Sequence, residues 1–127
     1  MTGTLTYEDK KPTSKGSIGK LKMSWTGTAG GAVGAIPVPF NGRIERIVTN
    51  PTDAPTANYD ITLADEDGLD LAQGLLANRH TTSSEEVTPY VGDGTVTSSP
   101  VVYAGLITPT VAASGTSKSG TITIYYT

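Results

Sequence analysis

The segment Asn58-Tyr59-Asp60-Ile61-Thr62-Leu63-Ala64-Asp65-Glu66-Asp67-Gly68-Leu69-Asp70-Leu71 decides the fold. Tyr59, Ile61 and Leu63 alternate with Asn58, Asp60 and Thr62. Successive side chains of a strand point to opposite faces, so this pattern predicts a strand buried on one side. Asp65-Glu66-Asp67-Gly68 reads as an acidic turn. Leu69 and Leu71 against Asp70 then predict a returning strand, which closes an antiparallel hairpin.

The same alternation recurs on both sides of this segment. Leu21, Met23 and Trp25 alternate with Lys20, Lys22, Ser24 and Thr26, which predicts a strand with one apolar and one basic face. Ile122, Ile124 and Tyr126 alternate with Thr121, Thr123 and Tyr125, so the chain should end locked into a sheet. Further strands are expected at 43–49, 86–91 and 101–107. Asn41-Gly42 carries the strongest two-residue hairpin signal. Ala35-Ile36-Pro37-Val38-Pro39-Phe40, with two residues lacking an N–H, belongs at a sheet edge or in a crossover. Asn50 to Thr56 reads as a proline-pinned loop, and Gly27 to Gly34 as a glycine-rich turn. The segment from Leu69 to Val87 allows a strand to about Ala72 and at most one helical turn near Leu75 to Asn78, because Gly74 interrupts the helical face.

Thr and Ser together supply roughly a quarter of the 127 residues, with 15 Gly and 8 Pro, a composition suited to short strands and turns. The expectation is an all-β fold, a single β-sandwich or small barrel of about seven to eight antiparallel strands. Residues 1–17, polar and charged, read as an extended N-terminal arm, mobile or ordered by a partner, and residues 18–127 as the β domain. The first residues lack a basic stretch followed by an apolar one, which reads as no signal peptide.

The formal charge of −3 argues against a nucleic-acid-binding body, which needs basic patches for phosphates. No apolar run reaches the length of a membrane span. Lys10, Lys11, Lys15, Lys20 and Lys22 form the one basic cluster, either a solvated arm or a contact for a negatively charged protein surface.

Catalytic chemistry finds few materials here. There is no Cys and one His, so the usual thiolate, zinc and triad arrangements are mostly excluded, and no catalytic residues and no cofactor are expected. His80 reads as a loop residue. Asp65, Glu66, Asp67 and Asp70 could offer oxygen ligands to Ca²⁺, although an EF-hand's bidentate Glu is out of register; a solvated acidic turn is the plainer reading. Carboxylate pairs for glycoside cleavage could be drawn from Asp60, Asp65, Glu85 and Glu86, and Trp25, Tyr90 and Tyr103 could form a carbohydrate or receptor platform.

Asn50-Pro51, Ala54-Pro55-Thr56, Asn58 to Leu63, Asp65 to Gly68 and Asn78-Arg79, followed by Lys118-Ser119-Gly120 and Ile124-Tyr125, resemble small structural proteins of tailed bacteriophages and prophages. The resemblance runs over residues 44–127. It implies a virion component assembled in the host bacterial cytoplasm, a head decoration or minor capsid protein. It further implies a homo-oligomer, trimer or ring, bound to the major capsid protein or other virion subunits. A tail, neck or connector component is the alternative within that class.

Overall fold

The computed structural model describes residues 3–14, 16–28, 33, 36–53, 55, 58–92, 97–115 and 117–127, with backbone alone at 91–92 and 97–99. Nine strands occur among the described residues: β1 (Thr4–Lys10), β2 (Gly19–Thr26), β3 (Val38–Asp53), β4 (Asp60–Ala64), β5 (Glu85–Val87), β6 (Tyr90–Gly92), β7 (Thr97–Pro100), β8 (Val102–Ala112) and β9 (Ser119–Tyr126). Seven form one antiparallel sheet in the order β1-β2-β9-β3-β8-β4, with β5 on β3, and β6 pairs with β7. The all-β, sandwich-like fold expected from the alternation is present.

This sheet is folded over on itself, and β3 is the strand that makes the fold possible. Its first part, Val38 to Arg43, pairs with β8, and its remainder, from Ile44, pairs with β9. A register shift between Ile44 and Arg46 marks the change of partner. Strand β8 does the same, joining β3 through Val102–Ile107 and β4 through Thr108–Ala112. Two layers result, and their inner faces supply the core: Leu21, Met23, Trp25, Ile47, Ile122 and Ile124 from one, and Val38, Phe40, Ile61, Leu63, Ile107 and Val111 from the other. Trp25 of β2 meets Tyr59, just before β4, with ring centroids 5.4 Å apart, although three strands, β9, β3 and β8, lie between β2 and β4 along the sheet. Burying apolar side chains at roughly 25 cal/mol per Å² of surface drives this closure.

Alternation was a reliable guide to burial. Leu21, Met23 and Trp25 are buried while Lys20, Lys22, Ser24 and Thr26 are exposed, and Tyr59, Ile61 and Leu63 are buried against exposed Asp60 and Thr62. Strand β9 lies between β2 and β3, and Thr127 exchanges backbone hydrogen bonds with Arg43, so the C-terminus is held in the sheet.

Four local expectations need correction. Residues 4–10 are not an extended arm: they form β1, paired with β2 from Thr4↔Thr26 to Lys10↔Lys20, because Leu5 has an apolar face to bury. Asn41-Gly42 is not a hairpin but lies inside β3. Gly42, at φ 149°, serves close packing instead, since a Cβ there would sit 2.7 Å from Cδ2 of Tyr126. Asn50 to Asp53 continues β3 rather than opening a loop, pairing with β9 across a second register shift. Leu69 is exposed, and the return from the acidic turn is a bridge between Ala64 and Asp70, not a strand. Residues 75–78 stay within the expected limit of at most one helical turn: they form none, because Gln73, Gly74 and Asn78 take positive φ, which produces successive tight turns. Most of the glycine-rich connection lies outside the described residues.

Candidate functional site

Antiparallel register carries the basic residues of β1 and β2 onto one outer face. Lys10 lies opposite Lys20, Lys20 opposite Tyr125, and Tyr125 opposite Arg46. The neighbouring row reads Glu8, Lys22, Thr123, Val48 and Glu86. Thr6, Ser24, Thr121 and Asn50 continue the face in a polar row. Adjacent strands stand about 4.8 Å apart, so each row is a closely spaced line of side chains. Glu8, Lys10, Lys20 and Lys22 line a shallow depression.

Charge is unevenly satisfied on this face. The Arg46 guanidinium donates to Glu86 at 2.6 Å and stacks over the Tyr125 ring, 4.6 Å from its centroid. Glu8 has Lys22 as its cross-strand neighbour. Lys10 and Lys20 are like charges placed directly opposite one another, an arrangement that destabilises a sheet. None of Lys10, Lys20 and Lys22 makes an ion pair with a described residue. Four cations and two carboxylates give the face a positive balance on a chain of net charge −3.

Of the five lysines singled out by sequence, the fold thus gathers Lys10, Lys20 and Lys22. Lys11 is turned to Asp9, with a 3.0 Å ion pair, and Lys15 lies outside the described residues. Arg46, Tyr125 and Glu8 complete the face and were not singled out. Alternation places each on a polar side, but only strand order makes them neighbours.

Beneath the face, Tyr126 ties the last strand to the first. Its hydroxyl donates to Asp9 at 2.6 Å, and its ring packs edge-on against Phe40 at 5.1 Å. Burial, then the hydrogen bond to Asp9 and that carboxylate's charge, push its phenol up to about 12. Burial also raises Tyr59, partly offset by the Thr49 hydroxyl beside it, although no hydrogen bond of regular geometry reaches either hydroxyl among the described residues.

At the acidic turn the carboxylates of Asp65, Glu66 and Asp70 accept from backbone amides. Asp65 Oδ1 accepts from the N–H groups of Asp67 and Leu69, and Glu66 Oε1 from that of Leu106. Asp70 accepts three: Leu63 and Ala72 at Oδ1, and Gly74 at Oδ2. These bonds hold the 65–74 segment against β4 and β8, and no cluster of three or more potential metal-binding side chains occurs among the described residues.

The other chemical candidates are dispersed. His80 Nδ1 accepts from the N–H groups of Thr82 and Ser83, which fixes its loop. Asp60 accepts from the Asn78 N–H, Glu85 from the His80 N–H, and Glu86 from Arg46. The aromatic platform does not assemble: Trp25 is in the core, the Tyr103 hydroxyl donates to the Leu106 carbonyl and accepts from the Glu66 N–H, and Tyr90 alone is exposed.

No protein family's sequence profile matches this chain, and no curated protein matches it. A carbohydrate-binding module from a Cellvibrio mixtus lichenase, solved with cellotriose, is similar at 10% identity and a TM-score of 0.31, over 95% of this chain and 86% of that one.

Proposed function

We propose that this protein is a non-enzymatic virion component of a tailed bacteriophage, a head decoration or minor capsid protein that docks its basic sheet face on an acidic surface of the capsid lattice. The observation that carries this reading is the trio Lys10, Lys20 and Lys22, exposed on adjacent strands without a described ion-pair partner. A face that keeps like charges opposed within the free chain gains most when an anionic partner neutralises them. Many weak copies on a symmetric lattice bind together more firmly than one copy alone. The interleaved Glu8 and Glu86, with the net negative charge, disfavour a polyphosphate backbone and favour a protein of mixed charge. The sequence resemblance over residues 44–127 supports the same assignment.

Replacing Lys10, Lys20 and Lys22 together by Glu should empty the protein from capsids, measured as copies per particle by quantitative mass spectrometry. Unchanged occupancy would eliminate the reading.

A further inference from the structure

The two ends of the main sheet are finished differently. The outer edge of β4 is covered by the chain that follows it. Tyr59 and Arg79 exchange backbone hydrogen bonds, Ile61 N–H donates to Leu76 O, and Leu71 N–H donates to Leu63 O. The Leu63 N–H is taken up by the Asp70 carboxylate. Strand β5, the branch on β3, is only three residues long. Strand β1 has neither protection. It pairs with β2 over all seven residues without a bulge, and no described residue makes a backbone hydrogen bond to its other side. Such an edge is a template for another strand.

We propose that β1 pairs antiparallel with β1 of a second copy of this chain, about a two-fold axis through Tyr7. Symmetry and charge select this register. An isologous antiparallel pair must place one residue opposite itself, and Tyr7 is the midpoint of Thr4–Lys10, so centring there uses the whole strand. The remaining pairs are Thr6 with Glu8, Leu5 with Asp9 and Thr4 with Lys10, with no like charges opposed. Centring one residue later would set Glu8 against Glu8. In the Tyr7 register the two Glu8 side chains meet only on the diagonal, and each has Lys22 across its own sheet.

Tyr7 supplies the occupant's chemistry. It lies on the inner side of β1 with Leu5, opposite Met23, yet is 47% exposed because the sheet stops there. A second copy gives its ring a cross-strand aromatic partner, a favoured pair on a sheet. The two-fold axis stands perpendicular to the sheet, so both basic faces emerge on the same side and merge into one surface. That contact closes at two copies, in place of the trimer or ring implied by the resemblance. It does not depend on the capsid reading, and a monomer would leave the lysine face unaffected.

Sedimentation equilibrium across the micromolar range tests the proposal, with circular dichroism to confirm folding of each variant. The wild type should approach twice the 13.1 kDa chain mass. Tyr7→Lys and Tyr7→Glu, each placing like charges at the axis, should both be monomeric, and an equimolar mixture should recover the dimer. A monomeric wild type, variants that stay dimeric, or a mixture that fails to associate would each overturn it. Chains carrying Thr6→Cys and Glu8→Cys give an independent test of register: mixed, they should form a disulfide-linked heterodimer under mild oxidation, and its absence would also overturn the pairing.

Discussion

Lys20→Glu should make the free protein more stable while weakening its attachment, an outcome that separates a binding surface from a merely solvated one. In the native sheet Lys20 stands directly opposite Lys10. Directly opposed charges on neighbouring strands change stability by roughly 0.2–1 kcal/mol, unfavourably when alike and favourably when opposite. The substitution removes one term and adds the other, for a gain of about 0.5–1.5 kcal/mol. Lys and Glu are both poor strand formers, so intrinsic propensity does not supply the difference. For a domain of this size the gain corresponds to a rise in melting temperature of roughly 2–5 °C. Calorimetry at low salt should show that rise. At 1 M salt, where the Debye length is about 3 Å, most of it should vanish. A melting temperature unchanged or lowered at low salt would refute the argument that Lys10 and Lys20 strain each other. Capsid occupancy of the same variant should fall even as stability climbs.

Two further outcomes follow from the polar anchors. Asp70→Ala removes the acceptor for three backbone N–H groups and should cost about 2–4 kcal/mol in urea unfolding, while Asp67→Ala, whose carboxylate accepts no hydrogen bond among the described residues, should cost little. Tyr126 binds its proton more tightly folded than unfolded, since its folded value is about 12 against an ordinary 10.0. Its contribution is therefore complete below pH 10 and lost as pH rises from 10 to about 12, and Tyr126→Phe should flatten that part of the stability profile.

Strand faces were legible in the sequence because burial is a local, period-two property. Leu21, Met23, Trp25, Tyr59, Ile61, Leu63, Ile122 and Ile124 could all be assigned to the core from their neighbours alone. Features that depend on a distant partner were not. Leu5 was obscured by the charged residues around it, so β1 read as an arm until β2 was available to pair with it. The Asn41-Gly42 signal was misleading because Gly42 clears space for Tyr126, a residue 84 positions later. Asp70 looked like a solvated turn residue, but its carboxylate replaces a strand partner for Leu63. The candidate site was half visible: β2 announced a basic face, whereas Lys10, Tyr125 and Arg46 joined it only through register.

Lysine acetylation footprinting on assembled particles tests the central claim most directly. Lys10, Lys20 and Lys22 should be protected on the capsid relative to free protein, while Lys11, whose side chain is 72% exposed and directed to Asp9, should react equally in both. Equal modification of all four lysines in the free and assembled states would contradict a docked basic face.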